Sequence, residues 1–189
     1  MNHNILIITN TKQWEMGLLE GVDIETTIGG SIMECLTIDL GLHESYINSN
    51  IDAVFLDGHP VDDIDAAIIT ENNRLALAGA LPGAAGIAMR RGSPVAALRG
   101  DITFAPCSSE EKHRGLVTLR IFGLVLRDIG AHVLARSVFM EPERILAHLV
   151  QDATASVEID GCPSSREAAC EALASMGTER VAVTVKERQ

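Results

Sequence analysis

The feature that most constrains this chain is its supply of short aliphatic runs, each closed off by turn-forming residues. Ile5-Leu6-Ile7-Ile8, Ala53-Val54-Phe55-Leu56, Leu75-Ala76-Leu77-Ala78 and Val181-Ala182-Val183-Thr184-Val185 are all of this kind. Runs this short read as strands buried in a sheet, because a helix needs roughly ten residues or more to display its apolar stripe. Between them lie helix start and stop signals. A helix beginning at Pro82 is expected to run to Arg90 or Arg91 and to stop at Gly92. Pro142 suits a first helical turn and leads a helix over residues 143–150. Near the C-terminus, residues 156–160 read as a strand, Ser164 and Glu167 as a capping box, Gly177 as a stop and residues 181–185 as a strand. The expected fold is therefore α/β or α+β, a mixed β-sheet flanked by helices, with a C-terminal β-α-β unit.

Other segments are less regular. Residues 22–26 alternate like an edge strand, and residues 31–40 fit a second strand or a short helix. Asp57-Gly58 is a tight-turn pair, and Asp62 or Asp63 is placed to cap a short helix over residues 64–69. Residues 94–98 read as a strand. Residues 116–139 combine helical spacing (Leu116, Leu119, Phe122, Leu126, Ile129, Val133) with β-branched residues and two glycines. A strand entering a helix is favoured there over a hairpin. A single domain over residues 1–189 is expected from the length, the alternative being two lobes, a strand-rich 1–106 and a helix-rich 107–189.

Composition narrows the function classes. Hydrophobic residues are 47% of the chain but aromatics only 3%, so aliphatic side chains must fill the core. A mean hydropathy of +0.18 points to some apolar surface being covered by self-association, with a homodimer as the expected oligomer. No stretch reaches the ~18 apolar residues of a membrane span, and the N-terminus lacks a signal-peptide pattern. The four cysteines, Cys35, Cys107, Cys162 and Cys170, show no C-x-x-C spacing and are expected as reduced thiols in the cytoplasm. The formal charge of −11 is unevenly placed: residues 1–73 hold thirteen acids and one base, Lys12, whereas residues 74–136 hold nine bases and four acids. An acidic chain with few aromatics disfavours nucleic acid as a partner, and nothing points to a membrane.

Two segments could carry chemistry. Around residues 77–99, Gly83 and Gly86 lie at the start of the expected helix, and Arg90, Arg91 and Arg99 follow. Bare backbone amides and forked guanidiniums suit a phosphate or carboxylate, although the glycine spacing is neither a dinucleotide fingerprint nor a P-loop. Small residues that allow tight packing explain the same pattern. The second segment is Asp57, His59 and Asp63, which could move protons for an anion held by those arginines. Its oxygen-rich loop does not have the spacing of a calcium loop, and no metal site is assigned. No cofactor is identified. Cys162, ahead of Pro163 and a helix start, is the most plausible reactive thiol.

These features support a non-catalytic accessory or small-ligand-binding protein that forms a homo-oligomer. The alternative is a small-molecule enzyme acting on an anionic substrate at residues 77–99.

Overall fold

A computed structural model describes residues 3–95, 99 and 111–188, the side chain of Ala85 excepted. In chain order the elements are β1 (Asn4–Thr9), α1 (Glu15–Glu20), β2 (Val22–Ile28), α2 (Ile32–Glu34) running on into a π-helical turn (Cys35–Asp39), α3 (Glu44–Asn50), β3 (Ala53–Leu56), β4 (His59–Pro60) and β5 (Arg74–Ala78). They continue with α4 (Gly83–Met89), β6 (His113–Phe122), α5 (Gly123–Leu134), β7 (Val138–Met140), α6 (Pro142–Gln151), β8 (Ser156–Ile159), β9 (Cys162–Ser164), α7 (Arg166–Ser175) and β10 (Val181–Glu187). The α/β class and the mixed sheet are as expected, and the sheet is open. The chain divides into two compact units: residues 1–23 with 129–189, and residues 24–128. β2 and α5 each run from one unit into the other.

In the unit built from both chain ends, the strands lie in the order β7-β10-β1-β8-β9. β1 and β10 run parallel in register Ile5–Val183 and Ile7–Val185, and β8 joins β1 antiparallel. The elements of the C-terminal β-α-β string are all present. The first strand doubles back at Asp160-Gly161 into the hairpin β8–β9, and α7 then carries the chain from β9 across to β10, past β8 and β1. The helix cap lies one residue later than the capping-box reading: Ser165, not Ser164, accepts from the Ala168 amide. α6 and α7 pack together, with Ile145, Leu149, Ala169 and Leu173 buried.

The unit over residues 24–128 has the order β4-β3-β5-β6-β2. β3 pairs antiparallel with β4 and β5, and β5 pairs parallel with β6. Asp57 and Gly58 both have positive φ, 51° and 83°, which is what a two-residue hairpin turn with the twist of its strands requires. Residues 116–139 are a strand entering a helix, with Gly123 at the junction in the left-handed region (φ 62°). β2 is not an edge strand in character: Ile24, Thr26 and Ile28 are all buried. Within residues 31–40 the chain is helical from Ile32 to Asp39, and Ser31 and Glu34 form a reciprocal capping box that fixes the helix start. No helix forms over residues 64–69. Asp63 instead accepts from the amides of Asp65 and Ala66, closing a local turn that competes with helix propagation. The strand expected at 94–98 ends as a turn at Pro94-Val95, and the rest of it lies outside the described residues, as does Cys107.

Candidate functional site

The hairpin carboxylate Asp57 is fully engaged. Its Oδ2 accepts from the Asn73 side-chain amide at 2.6 Å, and its Oδ1 accepts from the Arg74 backbone amide at 2.7 Å. These bonds tie the β3–β4 turn to the start of β5. His59 is exposed on β4 opposite Leu56, and Asp63 serves the turn just described. Asp57 and Asp63 thus spend their lone pairs on backbone amides and one side-chain amide.

The glycine-arginine segment is organised in the same inward manner. α4 forms where the proline and glycine signals placed a helix, but it is shorter than expected: it has seven residues, begins after Pro82 and ends at Met89, with Arg90 already extended. Gly86 is buried, and a Cβ there would run into the backbone of Leu81, so tight packing explains this glycine. Gly83 is exposed with φ 77°, at the helix start. Arg90 Nε donates to Asp52 Oδ1 at 2.8 Å. Arg91 donates to the carbonyls of Ile51 (3.1 Å) and Ile47 (3.0 Å), satisfying the open C-terminal end of α3. Arg99 is 3% exposed, and its Nη2 donates to Asp62 Oδ1 at 2.6 Å and to the Arg90 carbonyl at 3.2 Å. Asp62 Oδ1 also accepts from the Gly92 amide. The three arginines lie near one another, with Arg99 beneath the surface, but the acceptors they meet are Asp52, Asp62 and carbonyl oxygens of this same chain.

The pattern extends along the basic block. Lys112 pairs with Glu34, His113 with Glu71, and Arg114 with Asp39 and Glu25. The Asp39 carboxylate, with Glu25 behind it, holds the Arg114 guanidinium more firmly protonated than usual against the opposing effect of burial. Acids of residues 24–73 therefore pair with several of the bases that follow them within one unit.

What sequence reasoning missed is the outer face of that unit's sheet. On β6, Val117, Leu119 and Ile121 point into the core and are at most 1% exposed, and Val54, Leu56, Leu75 and Leu77 do the same on β3 and β5. The opposite face carries the rows Phe55–Ala76–Arg120 and Ala53–Ala78–Phe122, read across the registered strands. Leu116, Phe122, Arg74 and Arg120 are exposed on it, and Phe55 is half-buried. A groove of about 250 Å³ is lined there by Phe55, Gly58, Arg74, Leu75, Ala76, Arg120 and Phe122. Period-two alternation through 116–122 was the available signal. The helical spacing of the same residues masked it.

The other unit has a different polar centre, also missed. Trp14, the chain's single tryptophan, is fully buried and donates its Nε1 proton to Asp152 Oδ2 at 3.0 Å. Thr9 Oγ1 donates to the same oxygen at 2.6 Å, and the Thr154 amide and hydroxyl serve Oδ1. Burial raises the Asp152 carboxyl, but the hydrogen bonds from Thr9, Trp14 and Thr154 outweigh it and leave the group below the usual carboxylate range. His148 stacks on Trp14 with ring centroids 5.1 Å apart, and burial pushes its imidazole below its ordinary value. It borders a cleft of about 300 Å³ with Gln13, Met16, Glu20 and Arg144, and an apolar cleft of about 450 Å³ lies between α6 and α7.

Among the described residues no three His, Cys, Asp or Glu side chains converge as a metal site, and no helix is long and apolar enough to cross a membrane. Cys162 lies exposed on β9, three residues ahead of the Ser165 cap, and Cys35 is buried, its thiol pushed up to about 12 by burial. Comparison with known protein families, with curated proteins and with solved structures finds no match.

Proposed function

We propose that this chain is a non-catalytic accessory protein of the cytoplasm that works by binding, through the open face of the β3-β5-β6 sheet. The observation that carries this reading is the Phe55–Phe122 groove at the exposed part of the outer sheet face, where Phe122 is exposed and Phe55 half-buried while Ala53 and Ala78 of the same face are buried. The charged side chains that an enzyme acting on anions would need, Arg90, Arg91 and Arg99, lend their guanidiniums to holding the loop at Asp52 and Asp62. A homodimer is the companion proposal, read by sedimentation velocity.

Anilinonaphthalenesulfonate, an aromatic anion that fluoresces in apolar sites, tests the face directly. The folded protein should bind it saturably, and Phe122→Glu should abolish the signal without moving the thermal midpoint. A native protein that leaves the dye dark would refute the reading. So would a thermal shift with phosphorylated metabolites, nucleotides or divalent metals that vanishes in Arg90→Ala and Arg99→Ala, because that result favours the anionic-substrate enzyme.

A further inference from the structure

The face just described has a definite charge as well as a shape. Arg74 and Arg120 flank Ala76, which pairs directly with Arg120 on the neighbouring strand. Arg120 makes no ion pair or hydrogen bond among the described residues. The Arg74 side chain is 70% exposed and stands 3.9 Å from Asp57, whose oxygens already accept from Asn73 and from the Arg74 amide. Arg90, Arg99, Lys112, His113 and Arg114 of this unit each face an acid of the same chain, and Arg91 is taken up by the Ile47 and Ile51 carbonyls. A chain of net charge −11 thus presents two guanidiniums beside the Phe55–Phe122 groove, that of Arg74 in a long 3.9 Å pair with Asp57.

Size and symmetry narrow the occupant. A volume of about 250 Å³ is below the usual range for a cofactor pocket, and it suits a single apolar side chain. Strand addition at the β4 edge is blunted, since β4 is two residues long and Pro60 has no amide proton to offer. A nucleic acid would meet the repulsion of the whole acidic chain. A second copy docked groove to groove would bring four guanidiniums into one two-fold interface.

We infer, resting on the binding role proposed above, that the groove accepts an acidic segment of a partner protein. One aliphatic or aromatic side chain of that segment seats between Phe55 and Phe122, and carboxylates on either side of it pair with Arg74 and Arg120. The apolar anchor supplies the affinity, and the paired charges supply register and selection against basic or neutral segments.

The probe is a fluorescein-labelled hexapeptide with a Leu-Phe pair between two acidic residues on each side, titrated into the full chain and read by anisotropy. Its counterpart carries lysines in place of the acids. The acidic peptide should bind roughly tenfold tighter than the basic one, and the preference should invert in the Arg74→Glu/Arg120→Glu double variant. Raising salt from about 0.05 to 0.5 M should weaken the acidic peptide several-fold. Phe122→Ala should weaken both peptides, with circular dichroism confirming that every variant is folded. No saturable binding of the acidic peptide, or binding indifferent to the arginine reversals, overturns the inference. A labelled oligothymidylate that binds more tightly overturns it in favour of nucleic acid, and a dimer lost in Phe122→Glu overturns it in favour of a second copy. If the dye still binds while the peptides do not, the open face stands as a binding surface and only its occupant is wrong.

Discussion

The two compact units handle polar groups in opposite ways. The unit built from the chain ends places its key acceptor inside: Asp152 is 1% exposed and accepts hydrogen bonds from Thr9, Trp14 and Thr154. The unit over residues 24–128 keeps most of its ion pairs near the surface and leaves one sheet face open. A buried, saturated acceptor fixes the positions of three chain segments and is costly to disturb. An exposed ion pair contributes little to stability, and an open apolar face is useful only when something binds it.

The sharpest way to break this contrast is Trp14→Ala, which removes a fully buried ring and one donor to Asp152. A loss of about 3–5 kcal/mol is expected in urea unfolding followed by far-ultraviolet circular dichroism, since the fluorescent reporter goes with the side chain. Leu119→Ala and Phe122→Ala compare the two faces of β6. The inward leucine should cost about 2–5 kcal/mol, and the outward phenylalanine under about 1 kcal/mol. Equal costs would mean that the outer face is structural, contrary to the binding role.

Asp152→Asn should cost about 1.5–3 kcal/mol at neutral pH, because the donors lose a charged acceptor. Its pH dependence sharpens the comparison. The Asp152 carboxyl is lowered in the folded protein, so its contribution is complete above the unfolded carboxylate range and is lost as pH falls through the folded value. His148 is also lowered, so the unfolded chain takes up its proton first, and stability starts to fall as pH drops below about 6.5. Acid unfolding should therefore shift in Asp152→Asn and in His148→Phe, and the earlier phase should disappear in the latter. The smallest effects belong to the arginines. Arg91→Ala, which uncaps α3, should cost about 1 kcal/mol, and Arg90→Ala, on an exposed pair with Asp52, under about 1 kcal/mol, both by urea unfolding.

Much of the local structure was legible. The β1, β3, β5 and β10 runs, the stop of α4 ahead of Gly92, and Pro142 at the start of α6 follow from propensity and capping, which act within a few residues. Leu116, Leu119 and Phe122 are ambiguous in sequence because a spacing of three serves a helix and the same stretch alternates as a strand. The arginines of residues 90–99 show the limit most clearly. Their types and spacing announce an affinity for anions, but whether those anions are a ligand's or Asp52, Asp62 and the Ile47 carbonyl depends on how a segment forty residues away folds against them.

By itself the sequence determined the α/β class, the positions of most strands and helices, and the opposition of acidic and basic blocks, since these depend on neighbouring residues and on summed charge. Only the tertiary structure decided that Thr9, Trp14 and Asp152 meet, that Arg90, Arg91 and Arg99 find their acceptors within this chain, and that Phe55 and Phe122 line one groove. Those facts depend on strand order and register. Strand order and register are set by the best joint burial of the whole chain, and no short window of residues encodes them.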